Sequence, residues 1–226
     1  MAIIKHQGWH LSALVLLVVS VIAVTRYDSS VLSGSYLNMA TSTWLFIAIT
    51  SAIAHQIYVL VCWRSELYFK SLSKLLGSNA FSVFKVGFAI LILSRPLTVL
   101  LLAFSNAHTL NLNKGVTYLL SAILTIPLVY LFYSLRKYFG VDRAFGIDHF
   151  YPEKYRNDKM VNAGIFKYSS NAMYVYGFLL LWIPGILLQS KAALLAALFH
   201  HIYIWVHYFV TELHDMKTIY SDQNGQ

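Results

Sequence analysis

Gly177-Phe178-Leu179-Leu180-Leu181-Trp182-Ile183-Pro184-Gly185-Ile186-Leu187-Leu188-Gln189-Ser190-Lys191-Ala192-Ala193-Leu194-Leu195-Ala196-Ala197-Leu198-Phe199 holds one charge, Lys191, between two apolar runs. Extended in both directions, the apolar stretches cover roughly 172–189 and 192–211. A helix needs about 20 apolar residues to cross the hydrocarbon. Two crossings therefore fit, with only Gln189, Ser190 and Lys191 to join them. Lipid offers backbone groups no hydrogen-bond partner, so the pair has to be an antiparallel helical hairpin.

Four similar stretches precede the hairpin, at about 9–25, 43–63, 81–105 and 115–135. The expected fold is an all-α integral membrane protein of about six spans. It divides into a four-span region, 1–135, with an interfacial helix near 66–77, and a C-terminal region, 136–226. The first stretch lacks a good cleavage site at Ile22-Ala23-Val24-Thr25-Arg26 and reads as a retained anchor. In 64–80, Tyr68, Phe69, Leu72, Leu75 and Leu76 are spaced for one helix face, with Glu66, Lys70, Ser73 and Lys74 opposite. Pro96, Pro127 and Pro184 fall inside spans, where kinks are tolerated.

Composition agrees. Of 226 residues 58% are apolar and 12% charged, against about 25% charged in soluble domains. Mean hydropathy is +0.60. A soluble enzyme, a DNA-binding domain, a disordered chain and a disulfide-knotted module are all disfavoured. The single cysteine, Cys62, forms no internal disulfide. The net charge of +8 flanks apolar spans, which points to anionic lipid headgroups and not to nucleic acid. With alternating spans, Lys5, Arg64, Lys70, Lys74, Arg136, Lys137, Arg143, Lys154, Arg156, Lys159, Lys167 and Lys217 share one side; Arg26, Lys114 and Lys191 share the other. Twelve against three puts both termini in the cytoplasm, of a bacterial inner membrane or an endoplasmic reticulum.

Polar chemistry gathers after the fourth span. Asp148, His149 and Glu153 lie in a segment that also carries Phe145, Ile147, Phe150, Tyr151 and Tyr155. This predicts a lid over the cytoplasmic mouth of spans four to six; a solvated linker tied to lipid headgroups is the alternative. Then come Gly164-Ile165-Phe166-Lys167-Tyr168-Ser169-Ser170-Asn171-Ala172-Met173-Tyr174 with Gly177, and Thr211-Glu212 with Ile219-Tyr220. In order and spacing, these two motifs resemble those of the membrane methyltransferases typified by phosphatidylethanolamine N-methyltransferase and isoprenylcysteine carboxyl methyltransferase. The resemblance covers about 136–220. Ala172 stands where that family carries proline, and Thr211 where it often carries a first glutamate.

The resemblance implies S-adenosylmethionine as cofactor, bound by Tyr168, Asn171, Tyr174, Gly177, Tyr208 and Glu212, and a lipid or lipidated acceptor: a phospholipid amine or a prenylcysteine carboxylate. A carboxylate such as Glu212 suits ribose hydroxyls or an ammonium, and tyrosine rings suit a sulfonium. For Tyr174 the alternative is interface anchoring. An amine acceptor must lose a proton, for which His149, His207 and His214 are the candidate bases. Asp148, Glu153 and Arg95 are candidates for the acceptor; Arg95 lies about 20 Å along its helix from the cytoplasmic end, and snorkelling is its alternative role. On a helical wheel His201, Trp205, Tyr208, Glu212 and Asp215 form one stripe, and His200, His207, Thr211 and His214 another. Within the second stripe, seven residues are about 10.5 Å of rise, too far for one metal ion.

Two other functions compete. A membrane NADPH-dependent sterol or enone reductase would use Lys154, Arg156, Lys159 and Lys167. A non-enzymatic haem or electron-transfer protein would use His55 and His201 as axial ligands.

Overall fold

In a computed structural model, residues 3–220 are described. Among the described residues, five helices are long and apolar enough to cross a membrane. Helix α1 (Gln7–Tyr27) leads to a two-residue hairpin of β1 (Ser35–Tyr36) and β2 (Met39–Ala40), in register Ser35 to Ala40 and Tyr36 to Met39. Next along the chain are α2 (Thr41–Phe69), the short α3 (Ser71–Leu76), α4 (Ala80–Ser105) and α5 (Lys114–Ser134). The protein is an all-α membrane protein, as its apolar stretches predict.

Small side chains set the packing. Ala192, Ala193, Ala196 and Ala197 of α11 (Lys191–His207) are fully buried in one core with Ala48 of α2 and Val99, Leu102 and Ala103 of α4. Alanine lets helix backbones approach closely where lipid gives no hydrophobic drive. Beyond α11 the helix widens into a π-turn, Tyr208–Glu212, and ends as α12 (Leu213–Ile219).

Loops at the far end are tied through buried Asn106. Its Nδ2 donates to the carbonyls of Ser30 (2.9 Å) and Ser33 (2.8 Å), and its Oδ1 accepts from the Ala192 N–H (2.9 Å). Beside it the Lys191 ammonium meets Asp28 at 2.7 Å and holds that carboxyl down at about 2.

Three expectations are corrected. The span expected at 172–189 is a shorter apolar segment, Ala172–Leu187, built from α9 (Ala172–Tyr176), a 3-10 stretch (Gly177–Leu181) and α10 (Trp182–Leu187). Pro184 has no N–H to continue a helical ladder, and the chain turns back at Gln189 in a left-handed conformation (φ 53°). Gly185 lets the hairpin close, since a Cβ there would lie 3.0 Å from the Leu194 backbone nitrogen.

The interfacial helix near 66–77 is only α3. Residues up to Phe69 continue α2, and Lys70, left-handed at φ 54°, breaks the two apart. Glu66, assigned to a polar surface, is fully buried and accepts from the Ser73 N–H (3.0 Å) and the Ser73 hydroxyl at the start of α3.

The wheel of the last span assumes an unbroken 3.6-residue period. The π-turn adds a residue and rotates the remainder of the helix, so Thr211 and Asp215 share the buried side with His207, while Glu212 faces Tyr174.

Candidate active site

A cavity of about 300 Å³ lies among α2, α4, α5, α9, α11 and the 3-10 stretch after α9. Its wall is largely apolar, with Val59, Phe88, Leu131, Phe178 and Ile204, and carries His55, Gln56, Trp63, Arg95, Tyr174 and His207 as polar groups. On one side it is bounded by Leu93 of α4 and Phe132 of α5, which are 67% and 55% exposed on the lipid-facing perimeter. Helix α5 packs mainly on the Ala172–Leu187 segment, and the exposed Leu93 and Phe132 mark this side of the cavity as laterally open.

At the cavity wall, the Tyr174 hydroxyl donates to the Glu212 carboxylate. Tyr174 enters from α9 and Glu212 from the π-turn, so the two sequence motifs meet in space. Around them stand Tyr208, with ring centroids 5.7 Å from Tyr174, and Trp205, at 6.0 Å. Gly177 comes next on the wall, where a Cβ would lie 3.2 Å from Leu131.

Residues 116–223 match the family model for phospholipid methyltransferases (PEMT). This region is similar to that family. Comparison with curated proteins and with solved structures gives no significant match. The matched region contains every candidate cofactor and base residue, whereas Arg95, His55, Gln56 and Trp63 of the cavity come from helices outside the match.

The segment between α5 and α9 folds over one end of the helices as α6 (Val141–Ala144), α7 (Ile147–Phe150) and α8 (Pro152–Tyr155). Phe150 packs against Phe81 and Phe84, and Phe145 against Phe88. It therefore covers α2 and α4 as well as the last span, and not the mouth of spans four to six alone. Gly146, left-handed at φ 78°, brings the backbone against Trp63; a Cβ there would come within 2.6 Å of the indole.

Two lid residues turn inward. His149 is fully buried, stacked on Trp63 at 4.2 Å, with Nδ1 3.0 Å from Asp148 Oδ1 and Nε2 4.0 Å from Asp215 Oδ2. Tyr220 donates to the other Asp148 oxygen (3.0 Å), and Arg143 donates to the Tyr220 hydroxyl (3.1 Å). Burial alone lowers the His149 imidazolium, but the hydrogen bond and charge of Asp148, with Asp215 and Glu212 beyond, raise it above its usual value. Burial raises the Asp148 carboxyl, and His149 and Tyr220 outweigh it, so the net position is low. Buried beside Asp148, the Tyr220 phenol is pushed up.

The candidates separate clearly. Tyr174, Gly177, His207 and Arg95 line the cavity, and Glu212 and Tyr208 touch Tyr174. Arg95, far from the site by distance along its own helix, reaches it across the cavity. Asn171 opens α9 through its backbone carbonyl, which accepts from Tyr174 and Val175. Asp148 and His149 are buried one ring away, behind Trp63.

Three candidates lie elsewhere. Tyr168 is 76% exposed. Glu153 pairs with Arg156 at 3.4 Å on the surface, because α8 turns its first residues outward. His214 stacks on His6, with centroids 4.2 Å apart. The axial pair considered for haem is also separated: His55 meets Arg95, while His201 accepts from the Trp182 indole (3.1 Å).

The sequence reading missed Arg64, which counted only as a positive charge on the cytoplasmic side. It is 1% exposed, meets Asp215 at 3.1 Å and donates to the carbonyls of Ile3 and Lys5. Tyr68 also donates to Asp215 (3.3 Å). Trp63 and Glu66 continue the phase of the buried face of α2 from Val59 and Cys62, but Arg64 lies off that phase, so helical periodicity carries no signal for its burial.

Proposed function

We propose that the chain transfers a methyl group from S-adenosylmethionine to a lipid acceptor that enters sideways from the bilayer. The carrying observation is the Tyr174–Glu212 contact at the wall of a laterally open cavity. The residues fit that cofactor's chemistry. One Glu212 oxygen accepts from Tyr174, leaving the other for hydroxyls or an ammonium, and the rings of Tyr174, Tyr208 and Trp205 offer faces to a sulfonium. Tyr174, Gly177, Tyr208 and Glu212 would hold the cofactor. When bound, it supplies an electrophilic methyl group for direct displacement.

The protein's part is alignment and proton handling. Holding reactants in line can contribute about 7–11 kcal/mol, and the apolar wall keeps water from competing. For an amine acceptor, His207 is the base best placed, since both its ring nitrogens lie buried without a hydrogen-bond partner and the residue lines the cavity. A carboxylate acceptor would need no base. With the cytoplasmic charge excess on the His149 side, the cofactor enters from the cytosol beneath the lid, and both termini lie on that side.

The test is calorimetric titration of the purified protein with S-adenosylhomocysteine and, separately, NADPH. Binding of the first, abolished or weakened in Glu212→Gln, is the expected result. Binding of NADPH alone would overturn the reading in favour of a reductase.

A further inference from the structure

Arg95 is 1% exposed and lines the cavity one residue before Pro96 of α4. Its Nε donates to His200 Nδ1 (3.0 Å), one terminal nitrogen meets His55 Nδ1 (3.2 Å), and the other donates to the His200 carbonyl (3.4 Å). Its guanidinium lies 4.7 Å from the centre of the Phe178 ring. Every one of these partners is neutral. His200 is fixed as the neutral form because its Nε2 serves the Ala48 carbonyl (2.9 Å) while its Nδ1 accepts. No carboxylate among the described residues forms an ion pair with Arg95.

A guanidinium carries five N–H donors, so two remain beyond these three bonds. Two more donors stand beside it on α2. Because His55 Nδ1 accepts from Arg95, its Nε2 carries the hydrogen, and that atom is buried without a partner. The Gln56 side-chain nitrogen is likewise buried and unpartnered. Both residues line the cavity. Buried unpartnered donors beside an uncompensated cation are costly unless something electronegative meets them.

We propose that Arg95, His55 and Gln56 form a site for the anionic group, phosphate or carboxylate, of a single amphiphile whose chain leaves between α4 and α5 past Leu93 and Phe132. An arginine fork matches both anions bidentately. This names the acceptor class of the proposed methyl transfer and rests on that reading: the acceptor carries a negative charge, recognised by helices outside the matched region, apart from the Tyr174–Glu212 contact.

The test is binding to the purified full-length protein in detergent by calorimetry, with hexadecyl phosphate, palmitate and hexadecanol as probes. At least one anion should bind about tenfold or more tightly than the alcohol, the worth of a charged hydrogen bond; whichever it is identifies phosphate or carboxylate as the group. Arg95→Gln should abolish the preference, and Gln56→Leu should reduce it if Arg95→Gln fails to fold. Inorganic phosphate at equal concentration should not compete. Equal binding of all three amphiphiles, an unchanged preference in the folded variants, or competition by inorganic phosphate would overturn the proposal. S-adenosylhomocysteine binding is measured in parallel, so loss of the methyltransferase reading alone leaves anion selectivity intact.

Discussion

The Tyr174 hydroxyl and the Glu212 carboxylate hydrogen-bond across 38 residues of chain, one from the broken helix α9 and the other from the π-turn. Tyr174 lines the cavity, Glu212 stands behind it, and their contact joins the two motifs of the matched region. Glu212→Gln should weaken S-adenosylhomocysteine binding by about 1.5–3 kcal/mol, the range for a hydrogen bond to a charged group. Tyr174→Phe and Asn171→Ala should weaken it less. Titration calorimetry reads all three, and wild-type affinity in a folded Glu212→Gln protein would sink the site.

Arg64 and Asp215 form an ion pair with side chains 2% and 0% exposed. Removing one member of such a pair strands the other, at a cost of about 3–5 kcal/mol. Asp215→Ala should therefore lower thermal stability sharply, and Arg64→Met with Asp215→Leu should recover much of it. A single variant as stable as the parent would show that the pair contributes nothing.

The Asp148–His149 pair predicts a pH dependence with a definite sign. The His149 pKa is raised above 6.5, so its stabilising effect is complete below that value and fades as pH rises through the higher folded one. Asp148 is lowered from 3.8, so its effect is present above that value and is lost as pH falls through the lower folded one. Stability measured by chemical denaturation should decline on the alkaline side of 6.5, and His149→Gln should flatten that decline. A parallel curve in the variant would assign the effect to another group.

Cysteines at Asn113 and Lys191 should label from outside intact cells or vesicles, and one at Lys137 only after the membrane is opened. Gly225, the fourth position suited to this assay, lies outside the described residues. Lys191 is bonded to Asp28, which makes Asn113, exposed at the start of α5, the cleaner reporter. The reverse pattern would put the lid away from the cytosolic cofactor pool.

Hydrogen exchange across 145–155 should slow when S-adenosylhomocysteine is added, because a lid gains protection on closure. Unchanged exchange with saturating ligand would mark this segment as a fixed cover.

The spans were legible in the sequence because apolar length is a local property. Their interruptions were not: the 3-10 stretch after Gly177 and the break at Lys70 depend on how each segment seats on its neighbours. Asp148 and Glu153 show the same limit. Five positions apart in one polar segment, they looked alike, yet Tyr220 and His149 hold the first inside, while α8 carries the second into solvent. Arg95 was legible as costly at its depth, but its distance from the site was measured along a single helix, whereas the cavity joins it to Tyr174 from the side.

The π-turn at Tyr208–Glu212 gives this region an unusual sensitivity to length. Each α-helical residue turns the chain by about 100°, so removing one residue there would act as a rotation more than a shortening. Asp215 would swing away from Arg64, and Tyr220 from Asp148, while every side chain kept its chemistry. A deletion in this turn should therefore be far more damaging than most substitutions around it.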